Sequence, residues 1–353
     1  MKIAGICFTR SGYHLLEKIE QILRQEDHDV CIAYKSRFSD KDHPAEMKED
    51  LREWVGKRFL DSDAIVFVGA TGITVRTIAP YVRDKRQDPA VIVFDESGKF
   101  CIPLLSGHIG GANDLAVWLS EKMNAVPVVT TATDINDIFS VDVYAKKHHM
   151  TLSNMTYAKE VSASLLSGYP VGFQSDFPVD RDLPDGFVWE KELGPDDPES
   201  VTLGVSISPS YQNAHFDHCL WLIPKCITIG IGCRKGTSSS QIADLVRDVL
   251  KERYLYPEAL CRVATIDRKA DEPGLLQFCR ELELPLVTYT AEELNAAKGQ
   301  FTPSKFVKDT TGVDNVCERC AMLGGDGELI VKKRQKNGVT CACVRSDRRI
   351  SFE

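Results

Sequence analysis

The sequence predicts an α/β protein of three domains, the first of which holds a doubly wound, mostly parallel sheet. Short β-rich runs alternate with helical patterns from the start of the chain, which is typical of a doubly wound sheet. The runs Ala64–Val68 and Ala90–Phe94 are continuously apolar, as expected of parallel strands that are buried on both faces. The length of 353 residues allows two or three domains.

The predicted N-terminal α/β domain covers residues 1–135. Strands are expected at 2–8, 29–34, 64–68, 90–94, 100–105 and 126–130. A helix beginning near Gly12 and another over 112–123 carry apolar residues at helical spacing. Residues 95–98 (Asp-Glu-Ser-Gly) are typical of a turn between the fourth and fifth strands.

The predicted middle domain, residues 136–223, is a small α/β domain with an acidic, proline-rich loop over 174–200. Helices are expected at 140–149 and 156–167, and strands at 170–174 and 201–206. Nine acidic and two basic residues in this loop give it seven of the eight net negative charges (43 Lys+Arg − 51 Asp+Glu = −8). A solvated surface loop is the favoured interpretation, with a cation site as the alternative. The remaining charge is nearly balanced, which argues against a nucleic-acid-binding protein.

The predicted C-terminal domain, residues 224–353, is also small and α/β. Strands are expected at 226–231, 261–266 and 286–289, followed by a hairpin in which 328–334 and 339–345 flank Asn337-Gly338. Helices are expected at 239–253, 273–281, 291–297 and 313–323. Capping-box spacing marks the start of two of them, at Ser238 and Thr290.

The chain shows no sign of a membrane or an export segment. Its longest clean apolar run, residues 64–70, is far shorter than the roughly 20 residues of a membrane-spanning helix. The first eight residues are too few for a signal-peptide core. Twelve cysteines without an export signal therefore predict reduced thiols and a cytoplasmic protein.

The first of three glycine-rich segments is residues 68–76 (Val-Gly-Ala-Thr-Gly-Ile-Thr-Val-Arg). Its glycines allow a ligand to approach the backbone, whose N–H groups bind anions at a helix N-terminus. Hydroxyl groups and an arginine that can bind a carboxylate bidentately complete a candidate substrate site. A tight strand-to-helix turn is the alternative. The candidate binding residues are Gly69, Thr71, Gly72, Thr74 and Arg76.

The second segment is residues 103–114 (Pro-Leu-Leu-Ser-Gly-His-Ile-Gly-Gly-Ala-Asn-Asp), immediately before a predicted helix. His108 is a candidate general base, and the N–H groups of Gly110 and Gly111 could stabilise an oxyanion. Ser106 and Asp114 would orient the histidine or a water molecule. The alternative is a helix-capping turn in which the histidine bonds to the backbone. The candidate substrate-binding residues here are Gly107, Gly110, Gly111 and Asn113.

The third segment is residues 230–237 (Gly-Ile-Gly-Cys-Arg-Lys-Gly-Thr). Its two cations favour an acidic ligand, and its glycine spacing only loosely matches a dinucleotide loop. A nucleotide-dependent α/β enzyme and an ordinary turn therefore stay open as alternatives. The candidate binding residues are Gly232, Arg234, Lys235, Gly236 and Thr237.

Four clustered cysteines, Cys317, Cys320, Cys341 and Cys343, have the residue types of a zinc site. Their spacing is irregular for zinc, so buried or free thiols are the favoured interpretation and no metal site is predicted. A zinc-stabilised interaction module is the alternative.

Residues 103–113 resemble the hallmark segment of the CbiG family, and residues 68–76 match a second segment of that family. Residues 230–237 and 311–318 (Thr-Gly-Val-Asp-Asn-Val-Cys-Glu) resemble its C-terminal domain, and the resemblance adds Glu318 to the candidate binding residues. The resemblance covers nearly the whole chain in the same three-part order.

This resemblance implies a cobalt-precorrin-5A hydrolase of anaerobic cobalamin (vitamin B12) biosynthesis. The implied substrate is a cobalt-bearing, ring-contracted tetrapyrrole with acetate and propionate arms. Water opens a δ-lactone, acetaldehyde leaves, and cobalt-precorrin-5B remains. Cobalt then belongs to the substrate, so no cofactor is expected. A homodimer and transfer to neighbouring pathway enzymes are expected, and no nucleic-acid or membrane partner.

The resemblance and the residues together predict one active site. His108 is the base, Gly110 and Gly111 stabilise the oxyanion, and direct attack by water is favoured over a covalent Ser106 intermediate. Three cations, Arg76, Arg234 and Lys235, would bind substrate carboxylates, so the three glycine-rich loops are expected to face one cleft. A non-catalytic tetrapyrrole-binding or scaffold protein of the same pathway is the alternative.

Overall fold

The computed structural model describes residues 1–35, 46–84, 87–108, 110–131, 138–193, 201–212 and 215–352. The chain divides into two compact units, Met1–Ile138 and Phe139–Glu353. The first holds one six-stranded sheet and the second holds two five-stranded sheets, so the predicted α/β class is confirmed. The predicted boundary between residues 223 and 224 lies inside the second unit, one residue before the end of the last strand of its first sheet.

The sheet of the first unit has the strand order β2-β1-β3-β4-β5-β6. The first four strands in this order, β2, β1, β3 and β4, are parallel to one another, as predicted. Strand β5 runs antiparallel to β4, and β6 is parallel to β5. The strands are β1 (Lys2–Cys7), β2 (Asp29–Tyr34), β3 (Ala64–Val68), β4 (Ala90–Phe94), β5 (Phe100–Leu105) and β6 (Val126–Pro127).

Helices cover both faces of this sheet, which makes it doubly wound. One face packs against α1 (Arg10–Gln25) and α4 (Ala112–Met123). The other packs against α2 (Leu51–Asp61) and α3 (Thr71–Ile78). The sequence did not predict α2, whose apolar side chains do not form a clear helical stripe. Alternate residues of the strands enter the two cores, so the continuous apolar runs are explained by burial on both faces.

A tight turn at Asp95 reverses the chain between β4 and β5. The Asp95 carboxylate accepts the N–H groups of Ser97 at 3.1 Å and Phe100 at 2.6 Å, and Gly98 has a φ of +71°. A left-handed backbone at that point favours glycine because it has no Cβ. The segment after β5 therefore lies at the edge of the sheet where the parallel strands begin.

The first sheet of the second unit has the order β7-β11-β10-β8-β9. All neighbours are parallel except β7, which is antiparallel to β11. The strands are β7 (Met150–Leu152), β8 (Val171–Ser175), β9 (Phe187–Trp189), β10 (Leu203–Ile207) and β11 (His218–Pro224), with helices α5 (Val141–Lys147) and α6 (Met155–Leu166).

The acidic segment 174–200 is not entirely irregular, contrary to our expectation. It contains β9, which pairs with β8, and a short 3₁₀ helix at Glu190–Glu192. Its residues 194–200 lie outside the described residues. The chain terminus also holds this segment, because Ile350 exchanges backbone hydrogen bonds with the Pro178–Asp180 stretch at 2.9 Å.

The second sheet of this unit has the order β14-β13-β12-β16-β15. Strands β12 to β14 are parallel, and β16 and β15 form the predicted antiparallel hairpin at Asn337-Gly338. Both predicted capping boxes form. The strands are β12 (Ile227–Cys233), β13 (Leu260–Ile266), β14 (Leu286–Tyr289), β15 (Gly327–Lys336) and β16 (Val339–Ser346). The helices are α7 (Ser239–Glu252), α8 (Pro273–Glu281), α9 (Ala291–Ala296), α10 (Lys305–Thr311) and α11 (Cys317–Gly325).

No helix within the described residues combines the length and the apolar composition needed to cross a bilayer.

Candidate functional site

The histidine-containing loop between β5 and α4 is a closed turn that the backbone holds in shape. The N–H of Ala112 donates to the Ser106 carbonyl at 3.1 Å, and that of Asn113 donates to the Gly107 carbonyl at 3.0 Å. Ser106 has a φ of +59°, although it is not glycine. Backbone strain of this kind clusters at functional sites, which supports a functional role for the loop.

Two glycines of this loop are required by close contacts within the loop itself. A Cβ at Gly110 would lie 2.2 Å from the Ser106 Cβ, and one at Gly107 would lie 2.7 Å from the Asn113 Oδ1. These two glycines therefore allow parts of the loop to pack closely against each other, and the close contact they permit is not with a ligand. Asn113 is buried and donates to the Thr131 hydroxyl at 3.0 Å, so its amide closes the loop.

Ser106 anchors the loop rather than exposing a nucleophile. Its hydroxyl is buried and donates to the Asp88 backbone carbonyl at 3.0 Å. The Asp88 carboxylate in turn accepts the N–H of Arg83 at 2.9 and 3.2 Å. The backbone of Arg83, whose side chain is exposed, is thereby tied through Asp88 to the start of the loop. Sequence reasoning missed this link because it depends on the direction of β5. Since β5 is antiparallel to β4, its last residue lies beside the start of β4, close to Asp88.

The structure supports the predicted roles of some of the remaining loop residues and not of others. His108 is partly exposed and sits just before the twelve-residue helix α4. The N–H of Gly111 donates to the His108 carbonyl at 2.9 Å, so it cannot also stabilise an oxyanion, and only Gly110 keeps that predicted role. Asp114 is exposed in the first turn of α4, where an acidic side chain stabilises the helix dipole.

The loop over residues 69–76 lies at the opposite edge of the sheet from His108, so the expected single cleft is wrong for these two loops. It follows the carboxyl end of β3, whereas the histidine loop lies where β4 begins. Five-residue strands separate the two edges by about 16 Å, at about 3.3 Å per residue. Within this loop Thr71 is partly exposed, Gly72 and Arg76 are exposed, and Thr74 is fully buried and unavailable to a ligand.

The carboxyl edge of this sheet holds three groups that sequence reasoning missed. Thr9 caps α1 by accepting the N–H of Gly12 at 3.1 Å. Its hydroxyl also donates to the Glu96 carboxylate at 2.6 Å, and the Ser11 hydroxyl donates to the same oxygen. These two hydrogen bonds, from Ser11 and then Thr9, hold the pKa of Glu96 below its usual value. The signal that could have revealed Thr9 and Ser11 was the Thr-Arg-Ser-Gly segment that begins two residues after the end of β1.

The third glycine-rich loop is occupied by a carboxylate of the protein itself. The N–H of Gly236 donates to the Glu272 carboxylate at 2.6 Å, and the Lys269 ammonium donates to it at 2.9 Å. The Lys269 bond, together with the Gly236 N–H, lowers the pKa of the buried Glu272. The anion-binding N–H group that the sequence predicted therefore has an internal partner.

The other predicted residues of this loop differ in how accessible they are. The Arg234 and Lys235 side chains are exposed. Thr237 is buried, and its hydroxyl donates to the Arg234 carbonyl at 2.8 Å. A Cβ at Gly232 would lie 2.7 Å from the Thr340 hydroxyl oxygen, so this glycine serves packing between β12 and β16.

Glu318, which the family resemblance suggested as a binding residue, is fully buried. Its carboxylate accepts four hydrogen bonds: from the N–H and hydroxyl of Thr302, from the Asn315 amide and from the N–H of Lys333. This set of internal donors assigns Glu318 a structural role, in which it ties β15 and the segment before α10 to α11.

The clustered cysteines are thiols within the protein core. Burial raises the pKa of Cys317 to about 11 and that of Cys341 to about 12, so both stay protonated at neutral pH. Burial also raises the pKa of Cys320 and Cys343. Within the described ranges, no three His, Cys, Asp or Glu side chains are grouped as a metal site would require.

Comparison with known proteins adds matches along almost the whole chain. Residues 53–134 match the family model "Cobalamin synthesis G N-terminal", residues 139–224 match "Cobalamin biosynthesis central region", and residues 227–344 match "Cobalamin synthesis G C-terminus". The three follow one another in the order that the sequence analysis expected.

Two curated relatives and one solved structure are similar over long alignments. A Salmonella typhimurium protein named cobalt-precorrin-5A hydrolase is 36% identical over 80% of this chain and 82% of its own. A Priestia megaterium protein of the same name is 29% identical over 95% of this chain and 92% of its own. The crystal structure of a putative cobalamin biosynthesis protein G homolog from Sulfolobus solfataricus is 23% identical, covers 98% of this chain and 97% of its own, and has a TM-score of 0.41.

Proposed function

Because the chain belongs to the CbiG family, we propose that it hydrolyses cobalt-precorrin-5A to cobalt-precorrin-5B and acetaldehyde. The observation that carries this proposal is the 36% identity to a relative of that name over 82% of the relative's length. The strained, partly exposed His108 loop in the N-terminal part supports it with groups suited to opening a lactone.

The first step of the proposed reaction is attack of water on the lactone carbonyl. His108 accepts a proton from the attacking water, and the N–H of Gly110 stabilises the oxyanion that forms on the carbonyl oxygen. The C–O bond of the lactone then breaks, which gives a carboxylate and an alcohol. Ser106 serves this step by holding the loop to the Asp88 carbonyl, and not as a covalent nucleophile.

The second step releases the two-carbon fragment. The alcohol loses its proton and becomes the carbonyl of acetaldehyde as the C–C bond to the macrocycle breaks. The electron pair of that bond passes to the conjugated macrocycle, which then takes up a proton. One water is consumed in total, and no oxidant, reductant or cofactor is required, because cobalt enters and leaves with the substrate.

The substrate carries carboxylate arms, so cations beside the reacting centre matter for binding. Arg83 is an exposed cation whose backbone N–H is held by the Asp88 carboxylate, and the Asp88 carbonyl in turn anchors Ser106 of the histidine loop. We assign Arg83 to a substrate carboxylate, a role that the sequence analysis gave to Arg76. The substrate-binding roles of Arg234 and Lys235 stay predictions, as do the homodimer and transfer to neighbouring enzymes.

We propose a cytoplasmic location, which agrees with twelve free thiols.

Incubation of the purified protein with cobalt-precorrin-5A tests the proposed function. We expect one acetaldehyde per substrate consumed, detected by mass spectrometry, together with cobalt-precorrin-5B. Stoichiometric binding of the corrinoid without acetaldehyde release would instead establish the scaffold alternative.

A further inference from the structure

A groove of about 500 Å³ lies between α2 and α3 in the first unit. It is lined by Asp50, Leu51, Arg52, Ile73, Arg76 and Thr77. The groove opens near the carboxyl edge of the sheet, because α2 and α3 both begin there. It is therefore separate from the histidine loop, which lies at the other edge.

Among the residues that the structure describes, neither arginine of this groove has a hydrogen-bond or ion-pair partner for its guanidinium group. The hydrogen bonds that Arg52 makes there, to Asp50 and Tyr81, use its backbone. Other arginines of the same unit are paired, such as Arg24 with Glu20 and Arg58 with Asp61. Arg52 and Arg76 give the groove lining two positive charges against the single negative charge of Asp50, so the net charge favours an anion.

The Arg76 side chain is directed toward the opening of the groove. A Cβ at Gly72 would lie 3.4 Å from an Arg76 guanidinium nitrogen, so the side chain folds back over the first turn of α3. The N-terminal turn of α3 carries partial positive charge, which adds to the attraction of an anion.

The two helices that carry the arginines are locked together. The Tyr81 hydroxyl donates to the Arg52 carbonyl at 2.7 Å, and its ring lies against Phe59 with centroids 5.9 Å apart. A Cβ at Gly56 would lie 2.7 Å from the Tyr81 ring, so glycine permits this close packing. The groove is thus preformed, which lowers the cost of binding.

We propose that this groove is a carboxylate-binding site in which Arg52 and Arg76 together hold one carboxylate group. The planar guanidinium fork matches a carboxylate and binds it bidentately. Leu51 and Ile73 provide apolar contact for the hydrocarbon that carries the carboxylate. The volume accommodates a carboxylate arm with one ring, or a small polycarboxylic acid. This proposal does not depend on where the lactone opens.

Titration calorimetry with two probes tests the proposal. One probe is uroporphyrin III, a tetrapyrrole with eight carboxylates, and the other is citrate. We expect Arg52→Gln and Arg76→Gln each to weaken binding about tenfold, since a hydrogen bond to a charged group is lost in each. Arg280→Gln, the same change at an exposed position of α8, is the matched control and should bind as the wild type does.

The outcomes separate the two sources of the carboxylate and can overturn the proposal. Binding of uroporphyrin III alone assigns the site to a tetrapyrrole arm, and binding of citrate as well assigns it to carboxylates in general. The proposal is wrong if the wild type binds neither probe, or if Arg52→Gln and Arg76→Gln bind as tightly as Arg280→Gln does.

Discussion

Alanine in place of Gly110 is expected to open the histidine loop, because no space exists for a side chain there. The new Cβ would lie 2.2 Å from the Ser106 Cβ and 2.5 Å from the Ser106 carbonyl oxygen. Carbon atoms in contact normally stay about 3.5–4.0 Å apart. Neither neighbour is the end of a flexible side chain, so the loop backbone has to move.

The expected cost follows from this overlap. Overpacking costs about 1–3 kcal/mol, and loss of the bond from Ala112 to Ser106 adds about 1 kcal/mol. Gly110→Ala should therefore lower the free energy of unfolding of the first unit by about 2–4 kcal/mol. Gly111→Ala is the matched control: its Cβ would meet nothing within 4 Å, and only its φ of +82° is unfavourable, at about 1–2 kcal/mol.

Urea denaturation of wild type, Gly110→Ala and Gly111→Ala measures these differences, and the acetaldehyde assay measures their effect on activity. We expect Gly110→Ala to lose more stability than Gly111→Ala and to lose acetaldehyde release under conditions where it is still folded. Equal stability of the two variants would refute the loop geometry from which the reaction centre is argued.

Three further predictions concern charge and thiol chemistry. Glu272→Gln should lower the urea midpoint at pH 7, because the pKa of Glu272 is lowered in the folded protein. The stabilisation by this carboxylate is present above its usual pKa of about 4.3 and is lost as pH falls through the lower folded-state pKa. The difference in urea midpoint between the wild type and Glu272→Gln should therefore shrink at pH 3.5. Burial, with Lys147 and Arg348 nearby, lowers the pKa of His148, so the wild type should lose stability as pH falls through the ordinary value of about 6.5. That loss should level off below the folded-state pKa and be absent in His148→Gln, as melting temperatures between pH 7.5 and 5 would show. Cys31 is exposed, Cys233 and Cys261 are half-buried and the other nine cysteines are buried, so a thiol reagent should label Cys31 first in the native protein. Cys31→Ser should abolish this first labelling, and labelling of a buried cysteine as fast as that of Cys31 would contradict the structure.

The alternating pattern of strands and helices was sufficient to predict the fold class. Continuous apolar runs revealed β3 and β4, and side-chain capping signals located the starts of α7 and α9. Helix α2 and strand β9 escaped because neither has a periodic apolar pattern: the acidic, proline-rich composition around β9 conceals three residues that pair with β8. The pattern of apolar residues along the sequence therefore predicts a helix or strand only where that element buries its residues at a regular spacing.

The candidate site was less predictable, because it depends on strand direction. The Asp95 turn was recognised in the sequence, but a turn sequence does not state which neighbour the next strand pairs with. Since β5 pairs antiparallel with β4, the histidine loop and Arg76 lie at opposite edges. Likewise, nothing near Gly236 in the sequence indicates that Glu272, far along the chain, would occupy its N–H.

The rate of acetaldehyde release from cobalt-precorrin-5A by His108→Ala tests the central claim, that the loop after β5 opens the lactone. His14→Ala, which removes an exposed histidine of α1, is the matched control. A general base contributes about 10²–10⁴-fold to a rate, so we predict at least a hundredfold loss in folded His108→Ala and none in His14→Ala. A rate for folded His108→Ala close to that of the wild type would contradict the claim.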